Sequence, residues 1–158
     1  MTVDVIVDDP RWAEAVELSA LGGRACAAAL SDQGFDPDDH EIVLLACDDA
    51  RIARLNADFR GKAGPTNVLS FPSVALAPGE SAPEELGNVA IAFDTCAREA
   101  AEQGKPFDAH VAHLIVHAAL HLLGHDHEGD AEAEAMEAAE RRILRALGVP
   151  DPYAEDIS

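Results

Sequence analysis

Aromatic side chains make up only 4% of this 158-residue chain, so a hydrophobic core must be assembled from the Ala, Val, Leu and Ile that dominate its 48% hydrophobic fraction. Basic residues are scarce as well: 11 Lys and Arg stand against 30 Asp and Glu, a formal charge of -19. So acidic a chain is no general coat for nucleic acid and gives no reason to expect DNA as a partner. It reads as a soluble cytoplasmic protein, and any polyanion it handles must meet a local basic patch. Cysteine is limited to Cys26, Cys47 and Cys96, far apart and without a C-x-x-C. That excludes a thiolate zinc cluster and a disulfide framework, leaving small buried hydrophobes in a reducing compartment. A membrane-spanning run is missing too, since no uncharged stretch exceeds 17 residues and the histidine-bearing one, Ala109 to His125, holds five histidines. The opening MTVDVIVDDP carries acids and no basic segment, which reads against a secretory signal.

Histidine is concentrated instead. Six of the seven (His110, His113, His117, His121, His125 and His127) fall in 110–127, and only His40 lies elsewhere. Between Val111 and Leu123 every other position is Val, Ala, Leu or Ile. As a helix this segment is apolar nearly all round and belongs at the centre of the fold. At 100° per residue His110, His117 and His121 share one stripe, with His113 at its edge. His117 and His121 stand at i and i+4, where imidazoles on successive turns can reach one ion. Gly124 can end the helix in the left-handed conformation, and His127 then arrives at the tenth position. The pattern H-x3-H-x2-G-x2-H supplies three neutral nitrogen ligands and leaves a fourth position open, the layout of a catalytic zinc site with one Zn2+ per chain. The alternative is a set of satisfied core histidines, which this spacing disfavours.

Taken in order, VDVIV (3–7) predicts a strand, and Arg11 to about Leu30 a helix weakened by Gly22-Gly23. His40 to Cys47 is a second strand, and Asp48-Asp49 open a helix through Phe59. TNVLSF, closed by Pro72, predicts a third strand, and LGNVAIAF (86–93) a fourth, separated from it by a polar Pro-rich loop over 76–85. Asp94 is placed to cap the helix that follows, through about Gln103, and Pro106 to open the histidine helix. The last helix begins among acids and ends among Arg141, Arg142 and Arg145 before Gly148, an order that complements the helix dipole. The expected architecture is one α/β domain over 1–158: a small mixed four-stranded sheet, about five packed helices, and a central buried helix bearing the histidines.

Four of the 11 basic residues, Arg51, Arg54, Arg60 and Lys62, fall within 51–62. Arg60 suits a phosphate best, because a guanidinium can grip two oxygens, and Lys62 stands beside it in a Gly-flanked loop. For Arg51 and Arg54 a helix surface balancing nearby acids is the simpler reading. The histidine spacing also matches the metzincin peptidases, H-E-x-x-H-x-x-G-x-x-H, but Ala118 stands where their glutamate base would be.

RGKAGPTNVLSFP, LGNVAIAF, HVAHLIVHAALHLLGHDH and the ALGVPDPY tail together resemble the YbeY family of bacterial rRNA-maturation endoribonucleases, over about 51–153. The resemblance implies a zinc-binding α/β domain that cleaves single-stranded RNA in ribosomal RNA processing (the 3′ end of 16S rRNA) and ribosome quality control. The small ribosomal subunit would be its partner. It carries the metal ligands onto His117, His121 and His127 and the functional arginine onto Arg60. Ala118 stands where many members have Gly, and His125 where Tyr is common, so His125 could offer a competing ligand. Lys62 would help bind substrate, Asp126 would orient a ligand imidazole from behind, and His113 is the candidate proton acceptor. The readings set against this are a zinc metallopeptidase and a non-catalytic ribosome-assembly factor with a structural metal.

Overall fold

The computed structural model of the chain describes residues 3–126 and 128–153. Aliphatic runs form β1 (Val3–Val7), β2 (Glu41–Cys47) and β4 (Glu85–Ala92), and Val68–Pro72 forms β3. The sheet order is β1-β2-β4-β3, with β1, β2 and β4 parallel and β3 antiparallel to β4. Around it stand α1 (Arg11–Ala15), α2 (Leu18–Asp32), α3 (Asp49–Arg60), α4 (Phe93–Gln103), α5 (Phe107–Leu122) and α6 (Asp130–Ala146). The mixed sheet and the central histidine helix are as expected.

The period of two along the strands sorts the core into two faces. Ile42, Leu44 and Ala46 of β2, with Val89 and Ile91 of β4, join the larger cluster built with α2, α5 and α6. Cys47, Ala90 and Ala92 point the other way, onto Ile52 of α3 and Leu69 of β3. α5 is the inner helix of the large face: Val111, Val116, Ala118 and Leu120 have no exposed surface. All three cysteines are buried, and burial pushes their thiols up to about 12, so they behave as hydrophobes. Among the described residues no helix is long and apolar enough to cross a membrane.

Two local expectations are corrected. The helix expected from Arg11 to Leu30 is two helices, and the break falls at extended Val16 (φ −147), not at the glycines. Trp12 anchors the short α1 by donating from Nε1 to the Cys47 carbonyl at 2.9 Å, while Gly22 lies inside α2. A Cβ on Gly22 would stand 3.2 Å from the Leu44 side chain, so the glycine lets α2 approach the sheet. Asp94 does not cap α4 either. Its carboxylate accepts from Arg11 at 2.7 and 2.9 Å, and Asp49 of α3 accepts the Thr95 backbone N–H at 3.0 Å, satisfying the helix start from a neighbouring element.

Candidate functional site

The helical repeat of α5 brings three of its imidazoles to one side. His117 and His121, one turn apart, have ring centroids 4.6 Å apart with planes at 81°, and their Nε2 atoms lie 3.0 Å from each other. Two ring nitrogens this close suit a shared cation of the imidazole-binding class, and this donor chemistry fits zinc. His127, the third expected ligand, lies outside the described residues. Among the described residues no group of three or more His, Cys, Asp or Glu is arranged to hold a metal.

Behind this pair lies a carboxylate that sequence reasoning missed. Glu140 of α6 is 1% exposed, on the apolar stripe made by Met136, Ala139, Ile143 and Leu144. His113 Nε2 stands 2.6 Å from its Oε1, Tyr153 Oη donates at 3.0 and 3.1 Å, and His117 Nδ1 lies 3.3 and 3.4 Å from its two oxygens. Burial alone would push the carboxyl up, but the hydrogen bonds from His113 and His117 outweigh it and hold the group at about 2. An ionised carboxylate only accepts, so all three neighbours are donors. His117 with its proton on Nδ1 then turns a bare Nε2 toward His121. Burial and the Glu140 charge push the Tyr153 hydroxyl up, which keeps it a donor.

His113 therefore has Nε2 on Glu140, while its Nδ1 is buried without a protein partner. His110, placed by periodicity in the same stripe, belongs to another network: its Nε2 meets Glu99 at 3.0 Å, and Glu99 accepts from the Asn67 amide at 3.0 Å. That network ties the start of β3 to α5.

Gly124 ends α5 at φ +101, and a Cβ there would collide with the Leu76 carbonyl oxygen. Beyond it, His125 is held by Gln33 of the α2 end, with Nε2 2.6 Å from the amide oxygen. Asp126 accepts the Glu128 backbone N–H at 3.2 Å and lines the cavity described next.

The histidine pair opens into a cavity of about 690 Å³. Arg60, Lys62, Asn67, Ser70 and Tyr153 line it with His113, His117 and His121; Arg51 and Arg54 do not. Arg60 closes α3, and Gly61 behind it is left-handed at φ +64, which turns the chain along the cavity wall. The buried Asn56 amide donates to the Gly64 carbonyl at 3.0 Å and fixes that turn, a role no local signal announces. Arg51 instead pairs with Asp8 at 3.9 Å.

A mixed-sheet α/β fold with an inner histidine helix, a buried carboxylate behind the histidines and cations lining the same cavity defines a hydrolase-like centre for an anionic substrate. The family model described as Endoribonuclease YbeY matches residues 9–148. Relatives called Endoribonuclease YbeY in Jannaschia sp. (strain CCS1) and Paracoccus denitrificans are 54% and 53% identical, with 97% of this chain aligned to 100% and 90% of theirs. One from Ruegeria pomeroyi is 53% identical over 97% of this chain and 98% of its own. The solution structure of TM1509 from Thermotoga maritima shares the fold at a TM-score of 0.58 and 18% identity, over 99% of both chains. The chain belongs to the endoribonuclease YbeY family. That membership does not favour the metallopeptidase or the non-catalytic reading.

Proposed function

We propose that this chain is a metal-dependent, single-strand-specific endoribonuclease of ribosomal RNA maturation, acting at the 3′ end of 16S rRNA and in ribosome quality control. Its partner is the small ribosomal subunit, its compartment the cytoplasm, and residues 1–158 form its single domain. One observation carries the reading: the converging Nε2 atoms of His117 and His121 share a cavity with Arg60 and Lys62 on a chain of net charge -19. Two cations in one cleft of so acidic a protein suit an anionic substrate.

In this reading His117, His121 and His127 hold one zinc ion. Bound there, zinc would supply an activated water and polarise a phosphoryl oxygen. The chain's own residues do the rest. Arg60 grips two phosphate oxygens and stays with them as negative charge builds up, and Lys62 adds a second charge along the strand. His113 takes the proton at Nδ1, and the ionised Glu140 on its Nε2 side stabilises the charged ring, while Asp126 orients a ligand imidazole at the far end of the site.

The test compares cleavage of a single-stranded RNA carrying the 16S 3′ extension, the same sequence annealed to its complement, and casein, using highly purified zinc-loaded protein. Cutting of the single strand alone is expected. Ala118 occupies the peptidase base position, and a general base contributes about 10² to 10⁴ in rate, so casein should stay intact. Chelator-sensitive proteolysis that disappears in Glu128→Gln would overturn the reading in favour of a peptidase.

A further inference from the structure

α6 carries many acids, and nearly all face solvent; Glu140 does not. It occupies a position that the helix's apolar stripe would give to an aliphatic residue, between Met136 and Ile143–Leu144. Burying a carboxylate there is costly unless every lone pair finds a donor, and a hydrophobe of similar size would generally serve stability as well or better. The acid therefore needs a reason beyond packing. Its contacts supply one, because Glu140 touches His117, whose other nitrogen faces His121 across 3.0 Å.

We infer that Glu140 is a positioning residue for the metal ligand His117: by accepting its Nδ1–H, it fixes the ring and the tautomer that present a bare Nε2 to the ion. His113 and Tyr153 hold the carboxylate in turn. His113 donates at 2.6 Å to Oε1 and Tyr153 bridges both oxygens at 3.0 and 3.1 Å, so the carboxylate cannot rotate away from His117 without breaking two shorter bonds. The His117 contact is the longest of the set and spans both oxygens almost equally, 3.3 and 3.4 Å, so the ring nitrogen sits over the middle of the carboxylate. Tyr153 comes from the C-terminal ALGVPDPY tail, which thereby acquires a place in the site: Arg141 stacks on its ring at 5.3 Å, and its hydroxyl closes the network. Carboxylate partners of ligand imidazoles generally set affinity, and their loss typically costs about 10- to 100-fold in metal binding.

This inference rests on the reading of His117 as a ligand, and the experiment separates the two. In metal-free wild type, nitrogen-15 shifts of His117 are expected to report a protonated Nδ1 and an unprotonated Nε2; the opposite tautomer overturns the inference without any variant. Competition titration with a zinc chelator then compares wild type, Glu140→Gln, Glu140→Asp and Tyr153→Phe. Glu140→Gln, which faces ring N–H groups with an amide that must partly donate, is expected to lose about 10- to 100-fold in affinity. Glu140→Asp should recover part of that loss, and Tyr153→Phe should cost less than Glu140→Gln. Wild type that binds no zinc defeats the ligand reading itself. Wild type that binds tightly while Glu140→Gln binds equally well defeats only the positioning role. If Glu140→Gln fails to fold, the His117 tautomer and the Tyr153→Phe affinity still decide.

Discussion

His125 Nε2 lies 2.6 Å from the amide oxygen of Gln33, 92 residues earlier in the chain, and this contact commits that nitrogen to a link between two helix ends. A ring nitrogen that donates to an amide oxygen is protonated and offers no lone pair to an ion, so of the two ring nitrogens only Nδ1 keeps one. Through Nε2 the ring is a brace, fastening the loop after α5 to the end of α2, and it stands outside the proposed ligand set His117, His121 and His127. His125→Ala should therefore keep the metal stoichiometry of the wild type and lose about 0.5–1.5 kcal/mol of stability, the usual net worth of one hydrogen bond. Elemental analysis and denaturant unfolding check the two parts separately.

The same brace continues through Gln33 to Asp32 at 2.9 Å and on to Arg142, which donates to the Asp32 carboxylate at 2.9 and 3.1 Å. Burial pushes the Asp32 carboxyl up, but the Arg142 fork and the Gln33 amide outweigh it and hold the group below the usual carboxylate range. A depressed folded value means stability that is present above the unfolded carboxylate value, about 3.9, and lost as the pH falls through the lower folded value. Arg142→Gln should accordingly be less stable than wild type at pH 6–7, and the gap should narrow steadily toward pH 3. Thermal unfolding across that range measures it; a gap that widens in acid reverses the sign.

Gly124 stands at φ +101 with the Leu76 carbonyl where a Cβ would go. Gly124→Ala combines an unfavourable backbone conformation with a backbone collision, and about 1–3 kcal/mol of lost stability is expected. Because the glycine turns the chain out of α5 just ahead of the proposed ligand His127 in sequence, metal occupancy should fall as well. A variant as stable as wild type would show that the turn relaxes freely.

Arg60 and Lys62 line the same cavity as the histidines, whereas Arg51 pairs with Asp8. Arg60→Ala should keep fold and metal and lose about 10²-fold or more in RNA cleavage, the scale for removing one preorganised donor from a developing negative charge. Arg51→Ala and Arg54→Ala should change the rate far less. Equal losses in all three would reduce the patch to a diffuse field.

What was legible in the sequence is what repeats locally. The i, i+4 relation of His117 and His121 is a property of one helix, and the strand runs carry their own β-branched and apolar signature, so the sheet and its central helix could be read directly. Glu140 could not, because its neighbours lie 23 and 27 residues away along the chain and its acidic surroundings read as a solvated face. One signal was available: at 140 an acid interrupts the stripe Met136, Ala139, Ile143 and Leu144. Asn56 and Tyr153 are likewise defined by tertiary contacts. The break at Val16 and the capping of α4 by Asp49 were misread because each is settled by a neighbouring element, Trp12 reaching Cys47 in one case and α3 meeting α4 in the other.

The most direct test is a zinc titration of metal-free protein, reading the initial rate of single-stranded RNA cleavage. The rate is predicted to rise from background in proportion to added zinc and to level off at one equivalent per chain, with no such rise in His117→Ala at matched concentration. Cleavage that is already full without metal, or that persists undiminished in His117→Ala, would contradict a histidine-held metal as the centre of the activity.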